Sequence, residues 1–274
     1  MNLEATVHDA NPPESLALPR LCGFAILGAL LLFAVLVPQL WGLDIAKQDY
    51  SAILTGPGEA HPLGTDHLGR DMLARLAAAV RLSLGLALVS VITAALPGML
   101  LGIVAAWKGG VTDKCLSLLA EMFLALPGLL FVLLIVAIFP GSFLALYGAV
   151  ALVLWIESFR MTRALSRTVM ASQAVAATRQ LGFGPFYVLR HHLWPELSQM
   201  LMTIAAFGAA SAIMAIAALG FVSVGVRPPT AELGLMITEL LPYFAEAPFV
   251  MALPIIVIFL VVLSLMLIAG KRKP

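Results

Sequence analysis

Charged residues are scarce in this chain of 274 residues: they make up 11% of it, whereas 61% is hydrophobic. A soluble domain has about 25% charged and about 45–50% apolar residues. A chain this apolar cannot cover its surface with polar groups in water, so the composition predicts an all-α integral membrane protein. The net charge of +1 gives no basic excess for binding nucleic acid, so no nucleic-acid partner is predicted.

Cysteine and nucleotide-binding sequences are also scarce or missing. Cys22 and Cys115 fall in or beside apolar segments, which argues against a disulfide framework and predicts reduced, packed thiols. The chain contains no phosphate-binding G-x-x-x-x-G-K-[ST] sequence. Any ATP and Mg²⁺ that drive this protein must therefore bind other chains, and no cofactor is predicted on this one.

What the sequence does contain is apolar runs long enough to cross a bilayer, which requires about 20 helical residues. Six spans are predicted, and three of them contain the helix breakers Pro97-Gly98, Pro127-Gly128 and Pro254, which a helix bundle tolerates. The uncharged part of the fourth run is short, so its helix is expected to continue beyond Glu157. The predicted ranges are 21–41, 81–107, 116–139, 142–159, 197–226 and 249–269.

Basic residues are distributed unevenly between the two sides of these spans. Eleven of the 16 fall on one side, and the positive-inside rule makes that side, with both termini, cytoplasmic. The predicted parts are a cytoplasmic tail, a first span, an extracytoplasmic segment with a short polar helix, a helical core with a cytoplasmic loop at 160–196, and a second cytoplasmic tail. These parts cover residues 1–20, 21–41, 42–80, 81–270 and 271–274.

A polar stretch at residues 61–71 precedes the second span. Acids and bases spaced by four residues favour a short surface helix outside the bilayer. A salt-bridged surface helix and a docking site for a partner both remain open, while two histidines are too few to predict a metal site. The spaced pairs are Asp66–Arg70 and Asp71–Arg75, with Thr65 or Asp66 as the helix cap.

The cytoplasmic loop contains a second candidate element. The Ala-rich run at 171–181 favours a helix, and Gly182 stands where such a helix stops, with Gly184-Pro185 preventing its continuation. Pro195 then opens the fifth span. A short helix held between two spans is either a plain connector or the element that a soluble motor protein grips, and spacing alone leaves both open.

Four segments together, in order and at matching intervals, resemble one family, the ABC importer permeases of the dipeptide, oligopeptide and nickel type. The chain is most similar to the second permease subunit of such importers. Residues 61–71 resemble the family's H-P-L-G-T-D-x-x-G-R-D sequence, 109–113 its G-G-x-x-D turn, 176–182 with Pro195 its EAA loop, and 219–230 its F-L-G-L-G-V-x-P-P-x-P-x-W-G segment.

The resemblance assigns roles to residues at both predicted sites. Because the Glu of the EAA loop is Ala176 here, the coupling helix is expected to dock mainly through shape and apolar contact; the Trp of the last segment is Leu233. The residues assigned to ATPase coupling are Ala174, Val175, Ala176, Ala177, Thr178, Arg179, Leu181 and Gly182. Those assigned to the extracytoplasmic motif are Gly64, Thr65, Asp66, Gly69, Arg70 and Asp71.

The resemblance also implies a fold, a location and a function. The fold is that of a type I importer permease in a bacterial inner membrane, and the chain is not expected to be an enzyme. It would form half of the translocation pathway of an ATP-driven, binding-protein-dependent importer for small peptides, nickel or a metal chelate. Its expected partners are a homologous permease, one or two ATPase subunits, an extracytoplasmic substrate-binding protein and membrane lipid.

Two alternatives are weighed against an importer subunit. A self-sufficient channel or secondary transporter would need internal repeats with paired broken helices, and a membrane enzyme would need converging reactive side chains. Glu121 and Glu157 are acids in or beside apolar runs, where a charge costs about 2.5–3.5 kcal/mol at a helix centre. We expect Glu157 at the membrane interface near Arg160, and Glu121 in an ion pair or on the pathway.

Overall fold

The computed structural model describes residues 17–41, 44–139, 142–222 and 226–270, and all regular structure within them is helical. The all-helical prediction is therefore confirmed. Residues 1–16 of the predicted tail at 1–20 and the whole predicted tail at 271–274 lie outside the described residues, whereas residues 17–20 already belong to the first helix. The helices are α1 (Ala17–Trp41), α2 (Met72–Lys108), α3 (Gly110–Leu124), α4 (Gly128–Ile138), α5 (Phe143–Met170), α6 (Gln173–Gln180), α7 (Pro185–Val188) with a π-helical turn (Leu189–Leu193), α8 (Trp194–Phe221), α9 (Leu233–Leu240) with a 3₁₀ turn (Leu241–Tyr243), and α10 (Pro248–Ala269).

Helices α1, α2, α5, α8 and α10 are long and apolar enough to cross a bilayer, and α3 with α4 makes a sixth span if the pair counts as one. The predicted span at 116–139, with its breaker Pro127-Gly128, corresponds to α3 and α4, which are bent by 74° relative to each other. Pro127 removes a backbone N–H at the break. Leu126 and Leu129 beside it are exposed, so little packing offsets the lost hydrogen bond.

Other predicted boundaries fare differently. Helix α5 does continue past Glu157, to Met170, and Pro195 stands in the first turn of α8 as predicted. Helix α2 starts at Met72, well before the predicted residue 81. Cys22 and Cys115 are free but exposed, because their helices lie at the outside of the bundle, so the prediction of packed thiols is wrong.

The bundle has two ends, which we name after their short helices. Arg20 donates to the Gly270 carbonyl at 2.7 Å, so the start of α1 and the end of α10 lie together. That end, which also holds α6, is the α6 end; the opposite one, where α2 begins, is the α9 end. Helix α2 is central and packs along α5, with further contacts to α1 and α8.

Candidate functional site

A buried ionic cluster lies at the α9 end. Arg70 Nε donates to Asp66 Oδ2 at 2.6 Å, and its Nη2 donates to Glu239 at 3.1 Å. Arg75 Nη2 donates to the same Glu239 oxygen at 2.6 Å, and its Nε lies 3.3 Å from Asp66 Oδ2. Both arginines are 1% exposed. Two cations and two anions balance each other here, and they join residues 61–71 and α2 to α9.

The prediction of a surface helix over 61–71 is wrong, although the predicted Asp66–Arg70 pair does form. Asp66 Oδ1 accepts the backbone N–H groups of Leu68 and Arg70, both at 2.9 Å. A carboxylate that binds the amides two and four residues ahead holds the chain in a turn, because it offers the backbone an alternative to the helix. The segment is therefore a hydrogen-bonded loop.

The cap of α2 is Asp71, whereas the sequence favoured Thr65 or Asp66. Asp71 Oδ1 accepts the Ala74 N–H at 2.9 Å, and its Oδ2 bonds His61 Nδ1 at 2.8 Å. Because Asp71 bonds His61, the predicted Asp71–Arg75 helical pair does not form. Helix α2 therefore starts directly where the motif ends.

The glycines of the motif are required by backbone shape. Gly69 has φ of 70°, and a Cβ there would overlap the carbonyl of Asp49. Gly64 has φ of 78°, and a Cβ there would overlap the carbonyl of Thr55. Only glycine accommodates both constraints without strain. All six predicted motif residues are buried: Gly64, Thr65, Asp66, Gly69, Arg70 and Asp71.

Helix α9 supplies Glu239 to the cluster and was not among the elements predicted from the sequence. Glu232 caps it by accepting the N–H groups of Gly234 at 3.0 Å and Leu235 at 2.8 Å. Burial raises the pKa of Glu232 above its usual range, and these hydrogen bonds partly oppose that shift. The signal was available, because Glu232 precedes apolar residues at helical spacing: Leu233, Met236 and Leu240.

A histidine also faces α9 from the motif. His67 stacks on Tyr243 with ring centroids 5.4 Å apart. Burial lowers the pKa of His67, which favours the neutral ring at pH 7. The stacking adds a second contact between residues 61–71 and the turn that follows α9.

Helix α6 forms where the sequence predicts it, with defined ends. Ser172 caps its start by accepting the Val175 N–H. At its other end Gly182 has φ of 85°, and the Phe183 N–H bonds the Thr178 carbonyl at 3.3 Å. This is the Schellman pattern that glycine allows, so the predicted stop at Gly182 is confirmed.

The two sides of α6 differ. Val175 and Thr178 point into the protein, and Thr178 Oγ1 bonds His192 Nε2 at 2.9 Å. Arg179 lies over the Trp107 ring, with its guanidinium carbon 5.7 Å from the centroid, which attaches α6 to the end of α2. The remaining predicted coupling residues are exposed: Ala174, Ala176, Ala177, Leu181 and Gly182.

The G-G-x-x-D turn is also fixed to a neighbouring helix. Asp113 accepts two hydrogen bonds from Arg163 of α5, that from Nη2 being 2.6 Å long. Arg167 lies 3.6 Å from the same carboxylate. The polar end of α5 is thereby tied to the start of α3.

An open, charged cavity of about 860 Å³ lies along the exposed face of α5. Glu157, Arg160 and Arg163 line it, and α3 and α8 contribute one residue each at its edges. A smaller cavity of about 300 Å³ on the α3 side is lined by Arg160 and Glu121. Another of about 700 Å³ lies on the other side of Glu157, towards α1 and α8. In the described part of the chain, no opposite charge lies within 4.0 Å of Glu157, Arg160 or Glu121. The ion pair considered for Glu121 therefore does not form.

The depth of this cavity follows from the packing of α2 on α5. A Cβ on Gly98 would lie 2.5 Å from the Trp155 carbonyl, so Gly98 and Glu157 are at nearly the same level. Gly98 is about 15 Å along α2 from Lys108 at a rise of about 1.5 Å per residue. Trp107 and Lys108 are residue types typical of a membrane interface. Glu157 therefore lies about 15 Å below the level of Lys108, measured along α2.

Across residues 17–41, 44–139, 142–222 and 226–270, no three or more His, Cys, Asp or Glu side chains are grouped to hold a metal ion.

Comparison with known proteins identifies the family. Residues 98–272 match the family described as binding-protein-dependent transport system inner membrane component. The chain is 35% identical over 246 residues to the di/tripeptide transport system permease protein DppC of Pseudomonas aeruginosa, covering 88% of this chain and 81% of that protein. The dipeptide transport system permease protein DppC of Haemophilus influenzae is 31% identical, over 89% of this chain and 85% of its own.

A relative with a different named substrate is equally similar. The nickel transport system permease protein NikC of Escherichia coli K12 is 31% identical over 249 residues, or 90% of each chain. All three are transport permeases, so this chain is a transport subunit and not an enzyme. The chain belongs to the family of binding-protein-dependent transport system inner membrane components, as an ABC importer permease of the dipeptide, oligopeptide and nickel type.

Proposed function

We propose that this chain is one of two permease subunits of an ATP-driven importer for small peptides, nickel or a metal chelate. The observation that carries the proposal is the exposed charged face of α5. Glu157 and Arg160 stand near the mid-depth of the bundle, where lipid contact would cost about 2.5–3.5 kcal/mol for each charge. Charged groups at this depth face protein or water. A homologous permease placed against this face encloses the cavity as the translocation pathway.

The α6 end is the cytoplasmic end in this proposal, with both termini on that side, and the membrane is the bacterial inner membrane. The outward side of α6 carries small apolar residues and the 76% exposed Leu181. This side of α6 suits a groove on an ATPase subunit. The importer has one or two kinds of ATPase subunit, and these bind ATP and Mg²⁺. Docking then depends on shape and apolar contact, since Ala176 takes the place of the family's Glu.

Movement of the ATPase reaches the pathway through two contacts. The Thr178–His192 hydrogen bond joins α6 to the π-helical turn that leads into α8, and the Asp113–Arg163 ion pair holds α3 to α5. Coupling requires the two access states to differ in energy at both sites. Through these polar contacts the helices of the cytoplasmic half of the subunit move together as one rigid unit.

The α9 end faces the extracytoplasmic substrate-binding protein. The buried cluster around Glu239 fixes the loop at 61–71 and α9 in one arrangement, and their exposed neighbours form the docking surface. The motif residues stabilise this platform from inside, because all six are buried.

Uptake measurements test the proposal. Deleting the gene for this chain is expected to abolish uptake of radiolabelled dialanine or of ⁶³Ni²⁺, because half of the pathway is lost, and re-expression is expected to restore it. The probe whose uptake is lost identifies the substrate class. Deleting the genes for the importer's ATPase subunits should have the same effect as deleting this one. Unchanged uptake of both probes would refute the importer, and uptake that persists without the ATPase would favour a self-sufficient channel or secondary transporter.

A further inference from the structure

Glu157 and Arg160 form a pair of opposite charges that do not neutralise each other. They are three residues apart on α5, which places them on one face of the helix with Cβ atoms about 5–6 Å apart. Both are exposed and both line the cavity of about 860 Å³. Among the described residues, neither has an ion-pair partner within 4.0 Å.

The neighbouring charges do not compete for the same ligand. Arg163, one helical turn from Arg160, also lines this cavity, but its Nε and Nη2 are both bonded to the carboxylate of Asp113. Glu121 lines the smaller cavity on the α3 side. Among the described residues, no carboxylate is therefore bonded to the guanidinium of Arg160. Glu157 is the nearest acid along the helix.

The rest of the main cavity is largely apolar. Leu124, Val153, Met161 and Met200 line it around the two charges. A ligand that suits this lining has one positive and one negative end close together and a body that tolerates apolar contact. Two extended residues span at most about 7 Å, so the charged termini of a dipeptide have a separation comparable to that of the two side chains.

We propose that Glu157 and Arg160 form a transient binding site for the zwitterion of a short peptide, in which Glu157 binds the ammonium group and Arg160 the carboxylate. The proposal rests on the proposed function, because it requires α5 to line the pathway. It deepens that function by assigning a ligand class to the cavity. Arginine suits the second role, since its planar donors match a carboxylate in a bidentate manner.

A thiol-protection assay tests the site in the assembled importer, reconstituted in proteoliposomes. Met161→Cys, made in a Cys22→Ser/Cys115→Ser background, places a thiol in the cavity beside both charges. The rate of its modification by a membrane-impermeant methanethiosulfonate reagent is measured with dialanine, with N-acetylalanine amide or with neither. Leu96→Cys is the matched control, since Leu96 is 53% exposed on α2 at a similar depth but outside the cavity lining.

Dialanine is expected to slow modification of Met161→Cys by about tenfold, as its two ends make charge-assisted hydrogen bonds. N-acetylalanine amide, which has neither charge, is expected to leave the rate unchanged, and Leu96→Cys is expected to react slowly throughout. Protection should disappear in Glu157→Gln and Arg160→Gln but persist in Glu157→Asp and Arg160→Lys. Co-purification of the partner subunits checks that each variant assembles.

The possible failures are distinguishable. If Met161→Cys is modified but dialanine does not protect it, or if the amide protects equally, the zwitterion site is wrong and the pathway stands. Protection that survives both Gln substitutions also overturns the site. If Met161→Cys reacts no faster than Leu96→Cys, the cavity is not a water-filled pathway, and the proposed role of α5 is wrong as well.

Discussion

Glu239→Gln is expected to destabilise the subunit by about 3–5 kcal/mol, the cost of breaking a buried ion pair from one side. Glu239 accepts from both Arg70 and Arg75, so its loss leaves two buried cations with Asp66 alone. Amide oxygen still accepts hydrogen bonds but carries no charge to balance the second guanidinium. The effect should concentrate where residues 61–71 meet α9.

The free energy of unfolding of the purified subunit, from a denaturant titration in detergent, measures this prediction. Glu246→Gln is the matched control, because Glu246 is an exposed acid seven residues further along. The control is expected to change stability by less than about 0.5 kcal/mol. The double variant Arg75→Met/Glu239→Leu removes one charge of each sign and should recover part of the loss. Equal stability of the Glu239→Gln and Glu246→Gln variants would show that the ionic cluster does not stabilise the fold.

Ala177→Arg is expected to weaken binding of the ATPase to this subunit by roughly a hundredfold. Both ATPase co-purification and substrate uptake should fall as a result. Ala177 is exposed, and at about 100° per residue it lies on the side of α6 opposite the buried Val175 and Thr178. A long charged side chain there would be buried without a partner in an apolar docking groove. The fold of α6 itself should survive, because arginine is a good helix former.

Two controls separate docking from folding. Ala177→Ser keeps the side chain small and is expected to leave assembly unchanged. Ala245→Arg makes the same change at an exposed alanine of the α9 end and is expected to leave ATPase co-purification unchanged. Full assembly and uptake with Ala177→Arg would refute the docking role of this side of α6, whereas lost uptake with intact assembly would assign it to transmission.

The spans were predictable because hydrophobicity and length decide them locally. The same local reasoning failed where a side chain could support either a helix or a hydrogen-bonded loop. The spacing of Asp66 and Arg70 is that of a helical pair, yet Asp66 also binds backbone amides and holds a loop. Pro127 breaks its helix while Pro97 and Pro254 do not. Tertiary packing decides between these outcomes, and a single sequence does not show it.

The buried cluster depends on partners far apart in the chain. Glu239 is 169 residues from Arg70 and 164 from Arg75, so no spacing rule connects them. The level of Glu157 in the bundle also depends on residues distant in the chain. Its neighbours in sequence are arginines typical of an interface, but its level in the bundle is set by the close packing of Gly98 on Trp155.

Photocrosslinking from α6 tests the central claim, that this subunit delivers ATPase movement to a membrane pathway through that helix. Leu181 is replaced by p-benzoylphenylalanine in cells that express the whole importer, and Phe244, 59% exposed at the α9 end, is replaced in parallel. Irradiation is predicted to join position 181 to an ATPase subunit and to give no such product from position 244. An ATPase adduct from position 244, or none from position 181 in an importer that transports normally, would contradict the account.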